Sequence, residues 1–234
     1  MSPEFFTRRP KVQTPSQDQR SYLFRDSDFL HYMNDFNLID RGRFNSLLET
    51  RRRAGSMTMI DLLAYPDAIR SLKKSVFSEI NEFAGLSVGM SDSRSSSQID
   101  EDSSAGITHI TGDLNKRNTW DNIEDWLGGK KAHLIIERGF GGLHFLPTHL
   151  PYYKYAIQKI WDMTSSDGGM VLLQIPPKKI LEQNGINISR WINLLRRKKI
   201  YRQHHGGYHS IDGDIEYGLL QLIKNGENQA LPII

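Results

Sequence analysis

Short apolar segments alternate with amphipathic ones along most of this chain, and the middle of the sequence shows the alternation most clearly. The apolar segment 107–111 ends in the acidic turn Gly112-Asp113-Leu114, and the apolar segment 132–136 ends near the glycine-rich sequence 139–142. Between them, three apolar residues recur at helical spacing: Trp120, Ile123 and Leu127. A strand, a helix and a second strand in this order predict the centre of a doubly wound α/β sheet with parallel strands.

The alternation continues on both sides of this centre. Three more apolar segments predict strands: 57–63, 86–90 and 170–175. A helix is expected from Pro66 to Phe83, and Gly85 would end it. The last two apolar segments, 199–203 and 217–224, have no helical pattern between them. They should therefore pair as an antiparallel hairpin, because a parallel pair needs a longer crossover connection.

The sequence divides into four segments: a flexible tail at 1–20, a helical extension at 21–55, an α/β domain at 56–226 and a C-terminal tail at 227–234. The first segment is polar and shows no hydrophobic period. The extension is expected to hold helices near 27–36 and 40–53. Within the α/β domain, residues 91–105 are rich in serine and acidic side chains, so they are expected to form a mobile loop.

Composition excludes several classes of protein. The chain has no cysteine, so disulfides, thiolate metal sites and cysteine nucleophiles are excluded. No apolar run is long enough to span a bilayer and the first residues lack a signal-peptide pattern, so a cytoplasmic protein without a membrane partner is expected. The net charge is only +3, but positive charge is concentrated in Arg51–Arg53 and Arg196–Lys199. These runs would be nucleic-acid contacts or, more commonly, solvated helix ends.

Several motifs that would define other enzymes are missing or weak. No Gly-x-Gly-x-x-Gly follows the first strand, no lysine follows the glycines at 139–142, and no Gly-x-Ser-x-Gly is present. Dehydrogenase, nucleotide-hydrolase and serine-hydrolase activities therefore have no support. His204, His205 and His209 have spacings that could hold a metal ion, but a polar hairpin loop is the favoured interpretation. No metal site is predicted.

Five strands alternating with helices, then a further helix and a two-strand hairpin, form an order that resembles the class I S-adenosylmethionine-dependent methyltransferase family. The turn Gly112-Asp113-Leu114, the segment Trp120-Asp121-Asn122-Ile123 and the strand end Glu137-Arg138-Gly139 are similar to that family too. The resemblance covers roughly 57–224. It implies a mostly parallel seven-stranded sheet with helices on both faces, whose last strand is antiparallel and inserted between its neighbours.

The resemblance also implies a cofactor and the residues that hold it. S-adenosylmethionine would be bound by residues at the strand ends: Asp61, Leu63, Ala64, Asp92, Asp113, Leu114 and Gly141. Glu137 and Arg138 follow the fourth strand, which faces the reacting carbon in the family, so they are the catalytic candidates. Glu137 would be a base or orient the methyl acceptor. Alternatively, it would be a strand-end carboxylate paired with Arg138 or with a helix terminus.

The first turn departs from the family's pattern. The family has an acid followed by x-Gly-x-Gly, because glycine lets the backbone approach the cofactor closely. The corresponding sequence here is Asp61-Leu62-Leu63-Ala64-Tyr65-Pro66, which keeps the acid and replaces both glycines. Tyr65 and Pro66 would place atoms where the cofactor lies in the family.

The expected function is transfer of a methyl group from S-adenosylmethionine to an unidentified acceptor. The alternative is a methyltransferase-fold module without catalysis that serves in binding or regulation, possibly with nucleic acid. Carbon-5 methylation of pyrimidines is excluded because it needs a cysteine nucleophile. The aromatic and histidine residues after the fourth strand would line an acceptor pocket or, equally, pack a helix on the sheet: His144, His149, Tyr152 and Tyr153.

Overall fold

The computed structural model describes five stretches of the chain: 41–137, 149–176, 178–209, 216–227 and 229–234. They contain seven strands: β1 (Ser56–Leu62), β2 (Glu82–Gly89), β3 (Ile107–Thr111), β4 (Leu134–Glu137), β5 (Asp167–Ile175), β6 (Tyr201–His209) and β7 (Glu216–Asn225). They also contain seven helices: α1 (Arg41–Ala54), α2 (Asp67–Val76), α3 (Ser96–Ser104), α4 (Arg117–Leu127), α5 (Leu150–Met163), α6 (Lys178–Gln183) and α7 (Ile188–Arg197).

All seven strands belong to one sheet with the order β3-β2-β1-β4-β5-β7-β6. The first five pair in parallel, whereas β7 pairs antiparallel with both β5 and β6. The predicted α/β class, the mostly parallel sheet and the C-terminal antiparallel hairpin are therefore confirmed. The insertion of the last strand between β5 and β6 is the arrangement that the resemblance to class I methyltransferases implies.

Helices cover both faces of the sheet, and the strand residues alternate between two apolar clusters. On one face, called the α1 face, Met57 and Met59 of β1 pack with residues of α1 and α2. On the opposite face, called the α5 face, Ile60 and Leu62 pack with residues of α4, α5 and α7. Successive strand residues point to opposite faces, which produces this division.

The strand order places a topological switch point between β1 and β4. The connection from β1 to β2 runs through α2 on the α1 face, and the connection from β4 to β5 runs through α5 on the α5 face. The two connections diverge from adjacent strands, so open α/β sheets bind ligands outside the carboxyl ends of such a pair. We call the carboxyl ends of β1 and β4 the switch-point edge.

The helix predicted at 66–83 is shorter than its apolar spacing suggests. It ends at Val76, and Phe83 and Gly85 belong to β2, which begins at Glu82. The Nζ of Lys73 donates to the carbonyls of Phe77 and Ile80, so a polar side chain occupies the backbone acceptors beyond the helix end. The prediction that Gly85 ends this helix is wrong.

The segment 91–105, predicted to be a mobile loop, contains helix α3. Ser95 and Gln98 form a reciprocal capping box at its start, in which each side chain accepts a bond from the other residue's backbone N–H. The Asp102 side chain is buried and bonds the guanidinium groups of Arg70 and Arg94. The loop prediction is wrong because the buried acid is stabilised by Arg94 within the segment and by Arg70 outside it.

The C-terminal half has the predicted order of helices and strands, but these elements begin and end at residues other than the predicted ones. Helix α7 is capped by Asn187, whose side chain accepts from the Arg190 N–H. His204, His205 and His209 lie in strand β6, so their predicted place in a hairpin loop is wrong. Where side chains are described, no group of three metal-binding residues is found.

Residues 229–234 pack on the sheet domain, since the indole N–H groups of Trp161 and Trp191 donate to the Gln229 and Pro232 carbonyls.

Two parts of the expected organisation lie outside the described residues: the tail at 1–20 and the helix near 27–36. The helix expected at 40–53 is present as α1. No helix within the described ranges is long and apolar enough to cross a bilayer.

Candidate functional site

Two acidic residues are buried at the switch-point edge. Asp61 and Glu137 both have 0% exposure, and the β1–β4 register pairs Leu62 with Glu137. Asp61 follows the alternation of Met59 onto the α1 face, and Glu137 follows Ile135 onto the α5 face. Carboxylates are rarely buried completely, since removing the charge from water is costly. The edge at which a ligand is expected therefore holds a carboxylate on each side of the sheet.

The backbone of the first turn adopts a conformation that is typical of glycine, although the turn contains no glycine. Leu63 has φ 62°, in the left-handed region that side chains with a Cβ rarely adopt. Its neighbour Ala64 donates its N–H to the Val88 carbonyl at 3.0 Å, which ties the turn to the end of β2. The predicted cofactor residues Leu63 and Ala64 thus form a tight turn over β2, although the Leu63 side chain occupies space that a glycine would leave open.

Tyr65 closes the region between the first turn and the ends of β2 and β3. Its ring stacks on His109, with ring centroids 5.8 Å apart and an interplanar angle of 6°. Its hydroxyl lies 2.8 Å from the Ser91 hydroxyl. A Cβ on Gly89 would lie 3.0 Å from His109 and 3.1 Å from the Ala64 carbonyl oxygen, so protein atoms also fill the space next to that glycine. Tyr65 was expected to intrude into the cofactor's place, and its side chain spans these strand ends.

His109 is held as a neutral imidazole beneath Tyr65. Its Nε2 lies 3.1 Å from the Ser91 carbonyl oxygen, and its Nδ1 lies 2.7 Å from the Ser87 hydroxyl. A carbonyl only accepts, so Nε2 carries the proton and Ser87 donates to Nδ1. Burial lowers the pKa of His109, which favours the same neutral form. The completely buried Ser87 is therefore a structural partner of His109.

Asp92, one of the predicted cofactor-binding residues, belongs to a network of ion pairs. The Arg94 guanidinium donates to both of its carboxylate oxygens, at 2.9 Å and 2.7 Å. This contact lowers the pKa of Asp92 to about 2, so the group is ionised at neutral pH. Arg94 also bonds Asp102, which in turn bonds Arg70 of α2. Asp92 lies near the end of β2 as predicted, and the network holds its carboxylate in place.

Asp113 forms a turn at the end of β3. One of its carboxylate oxygens accepts from the backbone N–H and the side-chain amide of Asn115, at 3.0 Å and 2.6 Å. Its backbone carbonyl accepts from the Thr119 hydroxyl at 2.8 Å. Thr119 therefore holds this turn from within α4. Asp113 is only half-buried, so it meets solvent at the strand end.

Leu114 is connected to α5 through an indole. The Trp120 N–H lies 2.8 Å from the Leu114 carbonyl oxygen and 2.7 Å from the Tyr152 hydroxyl oxygen. The indole can only donate, so the Tyr152 hydroxyl accepts here and can donate its own proton elsewhere. Burial raises the pKa of Tyr152 to about 12, which keeps it protonated. The turn after β3 and the start of α5 thus form one connected wall at the edge.

Tyr153 lies on the α5 face with Glu137. The side chain is 1% exposed and belongs to the apolar cluster of that face. Burial raises the pKa of Tyr153, and the negative charge of Glu137 raises it further. Arg138 and Gly141, the other candidates after the fourth strand, lie outside the described residues. Their predicted roles remain predictions.

The structure brings the predicted acids to one edge and adds neighbours that the sequence did not identify. Asp61, Asp92, Asp113 and Glu137 end or follow four neighbouring strands. The contacts of His109 and Trp120 could not be read from sequence spacing, because each joins residues from different strands or helices. Arg94 bonds Asp102 from the loop that precedes α3. The pairing of Tyr65 with His109 had one signal, a tyrosine at a position where the family has glycine.

The basic runs and the cavities lie elsewhere. Arg51 is buried and bonds Asp167 at 2.6 Å, while Arg52 and Arg53 bond Glu49. The run Arg196–Lys199 is exposed at the end of α7. One cavity of about 210 Å³ lies between α1 and the start of β5, and another of about 490 Å³ lies between α5 and residues 231–234. Neither cavity is at the carboxyl ends of the parallel strands, so neither is the expected nucleoside site.

No protein-family model matches the sequence. No curated protein matches it. The fold is similar to solved methyltransferase structures at low identity. An O-methyltransferase from Bacillus cereus in complex with S-adenosylhomocysteine is 11% identical, with a TM-score of 0.48 over 91% of this chain and 94% of that chain. The N-methyltransferase NodS from Bradyrhizobium japonicum is 14% identical, with a TM-score of 0.43 over 82% and 99%.

A third similar structure is 1,6-didemethyltoxoflavin-N1-methyltransferase from Burkholderia thailandensis with bound 1,6-didemethyltoxoflavin and S-adenosylhomocysteine. It is 10% identical, with a TM-score of 0.42 over 92% of this chain and 93% of that chain. The assignment of the fold rests on the chain's own strand order, in which the antiparallel β7 lies between β5 and β6. That order is the one that the resemblance to class I methyltransferases implies.

Proposed function

We propose that this protein binds S-adenosylmethionine at the switch-point edge and transfers its methyl group to an acceptor. The observation that carries the proposal is the burial of Glu137 at the end of β4, directly beside Leu62 of β1. This is the point at which open α/β sheets bind ligands. A carboxylate at this position can act as a general base for a bound molecule or orient it.

The residues that follow β2 and β3, together with Tyr152 of α5, fit a nucleoside. Asp113 would accept from an amino group, Leu114 would pack against the base, and the Tyr152 hydroxyl would donate to the ligand. Asp92, fixed by Arg94, would accept from ribose hydroxyls with its remaining lone pairs. When bound, the cofactor supplies an electrophilic methyl group. Glu137 would orient the acceptor and take the proton of an O–H or N–H acceptor.

A second candidate function has support from the first turn. Tyr65 spans the ends of β2 and β3 through its contacts with Ser91 and His109. A ligand extending from β1 to β2 would meet this side chain, which would have to turn away. If Tyr65 stays in place, the chain is a methyltransferase-fold binding module without catalysis. Partners of either form, including nucleic acid at the basic runs, remain predictions.

Calorimetry with S-adenosylmethionine and S-adenosylhomocysteine tests both candidates. The enzyme hypothesis predicts binding of both ligands to the wild type. It also predicts tighter binding to Tyr65→Gly, because that variant removes the ring from the ligand's path. Tyr65→Phe is the matched control, since it keeps the ring and removes only the hydroxyl bond to Ser91.

The outcomes separate the two candidates. If Tyr65→Gly binds the ligands and the wild type does not, Tyr65 closes the site in the natural chain. This result would support the non-catalytic module. No heat with millimolar ligand for either protein, with both shown to be folded by circular dichroism, would refute cofactor binding altogether.

A further inference from the structure

The segment 178–200, which forms helices α6 and α7, has a charge opposite to that of the rest of the chain. It contains seven lysine and arginine residues and a single acid, Glu182, so its net charge is +6. The whole chain has a net charge of only +3, so the remaining residues have a net charge of −3. All seven cationic residues are exposed: Lys178, Lys179, Arg190, Arg196, Arg197, Lys198 and Lys199.

These cations lie along one layer of the α5 face. Leu181 of α6 and Trp191 of α7 belong to the apolar cluster of that face, so both helices pack on it. Helix α6 begins three residues after β5, at the carboxyl ends of the parallel strands. Helix α7 leads into β6, which is parallel to β5 because both pair antiparallel with β7, so the end of α7 lies toward the amino ends. We call the exposed side of 178–200 the α6–α7 surface.

The helix dipole accounts for only part of this charge. The run Arg196–Lys199 lies at the end of α7, where cations are favoured. Lys178 and Lys179 begin α6, and Arg190 lies in the first turn of α7. A helix N-terminus carries positive partial charge, so cations at these three positions are disfavoured within the protein. Anionic groups of a partner would compensate for them.

We propose that the α6–α7 surface binds the phosphate backbone of a double-stranded nucleic acid. Arg190, Asn193 and Arg197 are exposed and recur at helical spacing, so they form one stripe along α7. Helix α7 contains no acid that would repel a phosphate. Ten helical residues span about 15 Å, and each strand of a duplex presents a phosphate about every 3.4 Å of its axis. The stripe therefore matches the length of about four phosphates.

The same residues do not suit an unpaired strand or a membrane. Single-stranded nucleic acid is commonly held by stacking on aromatic side chains, but the segment 178–200 exposes none, and its Trp191 is 1% exposed. A helix that lies in a membrane interface buries its apolar face in lipid, whereas the apolar residues of α7 pack in the protein core. Ile180 is the one large apolar side chain that this segment exposes.

The test is fluorescence anisotropy of the full chain with labelled duplexes of about 20 base pairs at increasing salt. Binding should weaken with salt, because each neutralised phosphate releases counterions. The double variant Arg190→Gln/Arg197→Gln removes two contacts. It should bind at least about tenfold more weakly at about 0.1 M salt, and the slope of log affinity against log salt should become shallower by about 2. A DNA and an RNA duplex of the same sequence should bind comparably, since only phosphates are contacted.

Arg52→Gln/Arg53→Gln is the matched control. It removes the same charge from exposed positions of another helix, α1, where both arginines bond Glu49. Its affinity and salt slope should stay close to those of the wild type. Circular dichroism checks that every variant is folded. Equal losses in the two double variants would refute the proposal, because net charge alone would then explain binding.

Three further results would also overturn the proposal. They are no binding of either duplex by the wild type at about 0.05 M salt, a tenfold preference for one duplex, and tighter binding to vesicles of anionic phospholipid than to the duplexes. The inference does not depend on cofactor binding. Calorimetry with S-adenosylmethionine therefore tests the proposed function separately, whichever result the duplexes give.

Discussion

Asp102 and Glu49 allow a direct comparison of a buried and an exposed acid with equivalent partners. Each carboxylate bonds two arginines: Asp102 bonds Arg70 and Arg94, and Glu49 bonds Arg52 and Arg53. Side-chain exposure is 0% for Asp102 and 39% for Glu49. Burial is the main difference between the two clusters. Substitution of each acid by alanine therefore measures how much burial increases the contribution of such a cluster to the free energy of unfolding.

Asp102→Ala should lower the free energy of unfolding by about 2–4 kcal/mol. Removing one partner of a buried ion pair costs about 3–5 kcal/mol, since the remaining charge is left without compensation. The lower end applies here because Arg70 keeps its bond to Asp67 and Arg94 keeps its bonds to Asp92. Arg70 is also 28% exposed, so water relieves part of its charge. Glu49→Ala should change stability little, because its arginines remain solvated.

Urea denaturation at pH 7, monitored by circular dichroism, measures the change in the free energy of unfolding for each variant. The change follows from the shift of the transition midpoint when the dependence on urea concentration is the same for all variants. A double variant with Arg94→Met would show whether the cost comes from the remaining charge, because the second change should then recover part of the stability. Equal midpoints for Asp102→Ala and Glu49→Ala would refute the argument, and so would a loss below about 1 kcal/mol for Asp102→Ala.

Two further predictions concern a histidine and the β3 turn. Burial lowers the pKa of His133 to about 4, helped by Arg51, and its Nδ1 accepts from the Thr58 N–H. The unfolded chain therefore binds this proton first as the pH falls from about 6.5 towards 4, and stability is lost in that window. Between pH 7 and pH 4.5 the wild type should lose about 1–2 kcal/mol more than His133→Gln in urea titrations, with solvent screening included, and parallel pH profiles would contradict this. Asp113→Asn keeps an oxygen that can accept from the Asn115 N–H, so its melting temperature should exceed that of Asp113→Ala, which loses both bonds. If instead the two variants melt together, the turn does not depend on that oxygen.

The fold was predictable from sequence where local pattern and tertiary packing agree. Strand β4 reads as an uninterrupted apolar segment because helices cover both of its faces. Helix α5 begins beside Pro151, and its apolar residues match its buried face. The closing hairpin followed from the lack of a helical pattern between its strands. In each case the local sequence of the helix or strand was sufficient to predict it.

Prediction failed where a distant residue decides the outcome. The segment 91–105 looked too polar to pack, but Arg70 of α2 supplies the charge that allows Asp102 to be buried. The spacing of Ile80 and Phe83 matched a helix, yet both lie beyond the end of α2. At the candidate site, the acids were found from strand ends, but the sequence did not show that Tyr65 reaches His109 and Ser91. Such contacts depend on the three-dimensional arrangement of separate strands.

The position of β7 between β5 and β6 has a consequence for how the chain reaches its folded state. Strand β5 forms hydrogen bonds on one side with β4 and on the other with β7, whose residues follow about forty positions later. Until β7 has been synthesised, β5 is an apolar edge strand, and such edges pair readily with other chains. Strand β6 cannot protect it, because β6 bonds only β7 among the described strands. Completion of the sheet therefore depends on the end of this sequence, and a ribosome that pauses before residue 216 would leave an aggregation-prone intermediate.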